Sequence, residues 1–361
     1  MVGLEKDGRE QAAKATGRGR TLPFLRPPAR PKFSRPIVTM ALNITLYSTS
    51  FEDQWDSFIR DSNNGTLFHT RRFLGYHPPT RHSDHSLLFT GDKGLLALFP
   101  AAMQLRGSKP WLVSHPGATF GGFVTPVGLT LQQSDDLAGA LLDYGHKMDL
   151  GGITLTLSPT IYNRRLSNYI DAALLRHGFE YLRREVSSIL YLERTPEANL
   201  KKFTDASSRA VRKALASDVT IRPSDDLDTY YDILLHNLER RHNVQPTHTL
   251  AELRQLATLF PDAIRLLAAF KDDRMIAGIV TFDANPDVIL AYYICHDENY
   301  QQYRAVNLLF YRLIEEAIAA RFRYLDFGIF TVDEEPNRGL ARFKESFGAS
   351  GMFRDKLTIT L

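Results

Sequence analysis

The order of apolar runs and turns constrains this chain most, because it occurs twice. Ser86–Thr90, the turn Gly91-Asp92-Lys93-Gly94 and Leu95–Phe99 read as a hairpin, two short apolar runs around a polar, glycine-containing turn. Ile264–Phe270, Lys271-Asp272-Asp273-Arg274 and Met275–Phe282 repeat the arrangement. A further β-rich run follows each hairpin, Trp111–Ser114 in the first half and Val288–Ile294 in the second. Each half then has an amphipathic helix, with Leu137, Leu141, Tyr144 and Met148 on one face in the first, and Val306, Phe310, Leu313 and Ala317 in the second. Both continue with a strand (Ile153–Leu157; Tyr324–Phe327), another helix and a closing β segment, Ser188–Leu192 or Lys356–Leu361. Helical stretches at Asn199–Ala216, Leu227–Arg241 and Leu250–Phe260 lie between them. This order predicts an α+β fold of two tandem units, 40–195 and 196–361, each a mostly antiparallel sheet flanked by helices.

Charge is divided unevenly along the chain. Residues 1–39 hold nine Lys and Arg against three Asp and Glu, a net +6, so the remainder stands at −3 although the whole chain is at +3. The tail is rich in Arg, Pro, Gly and Ala without helical or strand period, and reads as disordered. Met40, directly before the first strand-like run Leu42–Tyr47, reads as an alternative start. No run of apolar residues is long enough to span a membrane, and Met1–Ser34 has no apolar core of a secretory signal. A single cysteine, Cys295, excludes an intrachain disulfide and fits a reducing compartment, the cytoplasm by default.

The last forty residues hold the most unusual local feature. In Asn337–Gly348, Leu340, Phe343 and Phe347 form one apolar helical stripe, started after Pro336-Asn337 and stopped at Gly348, and Lys344 stands on the same stripe where an aliphatic side chain is expected. Such a cation must snorkel, pair, or meet an anionic ligand. Just upstream, Tyr324-Leu325-Asp326-Phe327-Gly328 reads as a short buried strand ending in an acid and a glycine. Covering of the apolar face by the lysine stem and bonding of turn amides by Asp326 are the plain structural readings.

These segments resemble the duplicated form of the GNAT acyltransferase superfamily, the FemAB-like peptidyltransferases and BioF-like acetyltransferase-domain proteins. The resemblance rests on Arg240-Arg241-His242-Asn243 with Pro246-Thr247-His248, on Tyr324–Gly328, and on Asn337–Leu340 running into Phe343–Gly348; Ser114–Gly122 in the first half shares it. It covers about residues 42–361 and implies acyl or aminoacyl transfer from an acyl-CoA or aminoacyl-tRNA donor to an amine, with tRNA as a partner in the second case. The acceptor it implies is a cell-envelope or surface-polysaccharide precursor. A metal has no place in this reading, since His82-x-x-His85 lacks further ligands at matching spacing.

By this resemblance Lys344 stabilises an oxyanion or binds an anion, or acts as a base with a lowered pKa, and Asp326 takes the proton of the attacking amine, a role for which Asp333, Glu334 and Glu335 compete. Arg241, His242, Tyr293, His115, Asn337 and Arg342 are the expected substrate contacts. Gln301, Tyr303 and Arg304 stand where acetyl-CoA-using members have a Gln/Arg-x-x-Gly-x-Gly/Ala turn, whose backbone N–H groups hold pyrophosphate. Here Arg304 and Val306 replace glycine or alanine, and Tyr303 and Arg304 are expected to crowd the phosphate position. That departure keeps a competing reading open, a GNAT-fold binding module without chemistry. The basic helix around Lys202, Arg209 and Lys213, like the tail, also admits a nucleic-acid contact.

Overall fold

The computed structural model describes residues 41–361 except Pro79, Asn243 and Val244, with the backbone alone for 239–242. The tail reading for 1–39 lies outside the described residues. Both hairpins form as the pattern predicts. Leu87–Gly91 pairs antiparallel with Gly94–Phe99, and Asn43–Leu46 adds an outer strand to make a small three-stranded sheet. In the second half, β5 (Ile264–Lys271) pairs antiparallel with β6 (Arg274–Asn285). Asp272 and Asp273 make its turn with φ of 49° and 60°, a left-handed pair that Asp tolerates better than most residues.

The main sheet has eleven strands. Its first-half members are β1 (Ala101–Arg106), β2 (Lys109–Ser114), β3 (Gly152–Thr156) and β4 (Glu180–Tyr191). The second half adds β7 (Val288–His296), β8 (Tyr324–Ile329) and β9 (Ser350–Thr360) to β5 and β6. The order is β1-β2-β3-β9-β4-β8-β7-β6-β5, with the short strands Ser83–Asp84 and Thr220–Pro223 on the two edges. Two pairs are parallel, β2 with β3 and β7 with β8, one in each half; the other pairs are antiparallel. The strand that closes each half is bonded into the other. β9 lies between β3 and β4 (Leu357 opposite Leu155, Phe353 opposite Val186), and β4 pairs with β8 (Leu190 opposite Leu325).

The helices follow their apolar stripes. α1 (Leu131–Lys147) buries Leu137, Ala138 and Leu141. The stretch 199–216 is two helices rather than one: Pro196–Leu200 ends, and α2 (Asp205–Leu215) restarts behind Thr204, whose side chain accepts from Ser207 N. α3 (Ala305–Ala319) buries Leu309, Phe310 and Leu313 in a core shared with Phe327 and Phe347. α4 (Arg338–Glu345) is capped by Asn337, as the sequence predicts. On the opposite face, Phe120 and Tyr162 of the first half join Tyr230, Phe282 and Leu290 in one buried cluster. The two halves therefore share both a sheet and a core, and the groove between them is built by both.

Candidate active site

β7 and β8 run side by side for only three residues, Val288–Leu290 opposite Tyr324–Asp326. Beyond that point they part. β7 continues along β6, so residues 291–296 keep one ladder and turn their other edge to a cleft of about 1340 Å³, open up to His296, whose N and O are taken by the Asn237 side chain. β8 turns away through a bulge, because its register against β4 shifts between Asp326 and Ile329. Gly328 takes φ +74° within this bulge, a conformation that favours glycine.

A bulge strands backbone groups that lose their ladder partners, and two charged side chains take them up here. Asp326 Oδ1 accepts from Gly328 N at 2.7 Å. Lys344 Nζ, reaching over from α4, donates to Gly328 O at 2.8 Å and Ile329 O at 2.7 Å. This explains the lysine on an apolar stripe: it is 2% exposed and does not snorkel into water. Burial pulls its pKa down to about 8, opposed by the charge of Asp326. Asp326 is 1% exposed, and its Oδ2 accepts from the Tyr162 hydroxyl at 2.9 Å. Burial raises its pKa against the opposing bonds from Gly328 and Tyr162 and the charges of Arg354 and Lys344.

At one end of the open edge, Asp297–Tyr303 leads into α3. Arg304 is the N-cap residue with φ 57°, ψ 33°, and its side chain makes no capping bond. The turn thus keeps the left-handed shape that glycine normally supplies, at a cost of about 1 kcal/mol. Ala305 N and Val306 N have no acceptor among the described residues and belong to the cleft wall. Tyr303 does not crowd this place, contrary to expectation, because its ring packs on the core around α3.

The other end is walled by the first half. His77, Arg81 and His82 meet Pro116–Thr119 there, with His248 and Glu252 from the second half. Arg81 is paired with Glu252, which also closes the capping box of Thr249. His77 Nε2 lies 2.9 Å from Gly117 O. His248 Nδ1 lies 2.9 Å from the Tyr293 hydroxyl, and burial takes its pKa down to about 4. Burial also lowers His77 and His82 from their ordinary value, so these imidazoles are neutral at pH 7.

Of the residues expected from sequence, Lys344, Tyr293, Asn337, Gln301 and Arg304 line the cleft. Asp326 and His115 stand behind its wall: His115 is 3% exposed, its Nδ1 accepts from Gly117 N, and burial pushes its pKa down to about 3. Arg342 is exposed on the outer face of α4. The side chains of Arg241 and His242 lie outside the described residues. Cys295 is buried beneath β7 with its thiol on Tyr230 O, away from the cleft. Among the described residues no group of His, Cys, Asp or Glu is arranged to hold a metal, and no helix is long and apolar enough to cross a membrane. Sequence reasoning missed His77, Arg81, Glu252 and Arg354 in the cleft wall and Tyr162 beneath it; none stands in a motif.

The family model for the acetyltransferase (GNAT) domain matches residues 201–345, which hold the parted strands, the helix start and Lys344. Residues 201–345 resemble a GNAT domain. A search of curated proteins by sequence finds no match. Solved structures of similar fold include FemX, with TM-score 0.68 at 13% identity over 88% of this chain and 97% of that one. The C-terminal domain of a putative lysylphosphatidylglycerol synthetase from Agrobacterium fabrum follows at 0.54 and 9% identity, covering 86% and 91%. A tandem GNAT protein from the clavulanic acid biosynthesis pathway matches at 0.51 and 12%, covering 89% and 98%. The fold is that of two tandem GNAT-like units.

The GNAT-like gap of the first half is filled by its own chain. β2 and β3 also pair over three residues, Trp111–Val113 with Gly152–Thr154, and then part. There Thr156 N donates to Ser114 Oγ and Thr156 O accepts from Gly121 N, so the loop after β2 occupies the opening. The start of α1 is closed as well, by a capping box between Thr130 and Gln133. A Cβ on Gly121 would lie 2.8 Å from Ser114 C and 2.9 Å from His115 N, both backbone atoms. Gly121→Ala is therefore expected to destabilise the protein by about 2 kcal/mol or more, read from urea unfolding midpoints.

Proposed function

We propose that this protein is an N-acyltransferase that carries an acyl or aminoacyl group from an activated donor to an acceptor amine in this one cleft. The observation that carries the reading is the parted β7/β8 pair between an uncapped helix start and a buried lysine. An extended donor can add its amide groups to the open edge of β7 at 291–295, while the N–H groups of Ala305 and Val306, with Arg304, meet its phosphates. The carbonyl then lies where the strands part. The first half supplies the wall for the acceptor. Among the described residues no cysteine lines the cleft, so the amine attacks the donor carbonyl directly, and the CoA thiol or the tRNA ribose hydroxyl leaves as the new amide bond forms.

Lys344, protonated below about pH 8, places a positive charge beside the bulge, where oxyanion charge develops during attack. Proton removal falls to the neutral imidazoles at the far end rather than to Asp326, whose two oxygens are occupied by Tyr162 and Gly328. His82 has no hydrogen-bond partner among the described residues and is the imidazole free to accept one. The donor is an acyl-CoA or an aminoacyl-tRNA, and the acceptor a cell-envelope precursor. The fold of FemX and of the synthetase domain supports both proposals, and the left-handed Arg304 turn supports a phosphate-bearing donor.

Calorimetry with CoA, acetyl-CoA and a long-chain acyl-CoA tests the donor. Micromolar binding is expected, weakened about tenfold in Arg304→Ala by loss of one charge-assisted contact. Absence of binding by all three rejects CoA donors and moves the test to charged tRNA. Absence of transfer from either class favours the GNAT-fold binding module, the reading to which the non-glycine turn at Arg304 and Val306 belongs.

A further inference from the structure

The charges along the cleft are unbalanced. Glu252 is the one carboxylate in its described lining, and it is committed to Arg81 and to its own helix cap. Lys344, Arg304 and Arg354 face the same space. Lys344 is held by backbone carbonyls and Arg304 guards the helix start, but Arg354 has no such explanation. It stands on β9 directly opposite Glu185 of β4, where a cross-strand ion pair is expected. Glu185 is turned away: it accepts from the Thr331 hydroxyl and from Asp333 N, and faces Arg183. The next residue, Asp355, is engaged by Arg184 through two bonds. No carboxylate lies within ion-pair distance of Arg354 among the described residues, and Asp326, which feels its charge, already has both oxygens occupied.

The guanidinium is nonetheless fixed. It donates to Thr119 O at 2.6 Å and lies over the Phe120 ring at 4.8 Å from the centroid. One bond and one ring face leave most of its five N–H donors unused, presented from a rigid mount in a half-buried place. Its neighbours are Thr119 and Tyr292, near where β7 leaves β8, whereas Arg304 follows the far end of β7. Arg354 is therefore separated along the open edge from the phosphate position proposed above, and it sits beside the wall that the first half contributes.

We infer that Arg354 is a receptor for an oxyanion carried by the acceptor, so that the acceptor is an anionic amine. This rests on the proposed transferase reading for the word acceptor, but not for the binding itself. A carboxylate or a phosphate meets the same fork of N–H donors. An acceptor with a neutral group in its place leaves the guanidinium desolvated without an ion, which is the cost that makes the site selective.

Ligand-observed NMR titrations on the full chain test this without any donor, in two paired arms: glucosamine 6-phosphate against glucosamine, and D-alanine against D-alaninamide. They are run in the Arg304→Ala background, so that the helix-start position does not report the phosphate. Arg354→Gln and Arg354→Lys are compared within that background, with thermal melts to confirm folding. The anionic member of one pair is expected to bind at least about tenfold more tightly than its neutral partner. Arg354→Gln removes that preference and Arg354→Lys restores part of it; which pair responds distinguishes phosphate from carboxylate. Equal binding within both pairs, binding of neither pair, or a preference that survives Arg354→Gln overturns the inference. Failure of the transferase reading shows separately, as absent CoA release or tRNA deacylation with an intact anion preference.

Discussion

Lys344→Met is expected to reduce transfer by about a hundred- to a thousandfold while lowering stability only moderately. The two effects differ in size because the stability terms oppose each other. The variant leaves Gly328 O and Ile329 O without their donor, at roughly 1–3 kcal/mol for each unsatisfied group. It also removes the penalty of a buried ammonium, whose pKa near 8 against an ordinary 10.5 corresponds to about 3 kcal/mol. The remainder lies between about −1 and 3 kcal/mol, so the loss of stability is at most about 3 kcal/mol, measurable by urea unfolding. Nothing offsets the loss in the reaction, where a charge beside a developing oxyanion is worth about a hundred- to a thousandfold in rate. The pH dependence separates the roles. Lys344 has a lower pKa in the folded than in the unfolded chain, so between about 8 and 10.5 the unfolded state holds more protons and stability contributed by this residue rises with pH. The wild type shows that rise and Lys344→Met does not. If the ammonium acts on the oxyanion, kcat falls in the same window; a kcat that stays level to pH 10 would confine Lys344 to holding the bulge.

The elements of this fold were legible because their patterns are local. Alternating apolar runs marked both hairpins, and the Leu340–Phe347 stripe with Asn337 and Gly348 marked α4 and its limits. The misplaced Lys344 was visible for the same reason, as a break in a local period. What it touches was not, since the bulge arises from the register of β8 against β4, a strand more than a hundred residues earlier. The exchange of β4 and β9 between the halves is non-local too, and with it the place of Arg354 in the cleft. Arg304 shows the limit of a motif read as side chains. The missing glycine is real, but the backbone adopts the left-handed turn anyway, and Tyr303 turns into the core where its ring is buried more favourably than in the cleft. His77 and Arg81 lie in a loop whose sequence has no period, and only the packing of the first half against the second brings them to the cleft.

The cleft is shaped by exchanged strands, so its geometry depends on contacts between halves as much as on the second half itself. Tyr162 is the clearest case. Its hydroxyl, 164 positions from Asp326 along the chain, donates to the carboxylate that fixes Gly328, and Asn285 Nδ2 donates to its carbonyl. The bulge that carries Lys344 thus rests on a first-half side chain. A first half whose own gap is filled by Gly121 retains a reason to be there: it supplies one wall of the cleft and the floor under its centre.

Asp326→Asn is the substitution that decides whether the buried carboxylate is a base or a support. As a support, it is replaced with little loss: the amide oxygen takes Gly328 N and the amide nitrogen faces the Tyr162 oxygen, leaving one hydroxyl proton without its acceptor. The expected cost is about 1 kcal/mol at neutral pH, with kcat within about tenfold of wild type. Asp326→Ala strands both donors and costs about 3 kcal/mol, with a larger loss of activity because the bulge is released. The sign of the pH dependence follows from the raised pKa. Between the ordinary carboxylate value and the folded value the native state holds more protons than the unfolded one, so the contribution of Asp326 to stability falls as pH rises through that window. Asp326→Asn lacks this dependence, and its deficit against wild type is therefore largest at acid pH and smallest above the window. A general base gives the opposite picture: kcat in Asp326→Asn drops by a hundredfold or more, the acid limb of the pH–rate profile disappears, and stability barely changes. Two occupied oxygens and 1% exposure stand against that outcome. They leave the proton of the acceptor amine to the imidazoles on the first-half side of the cleft.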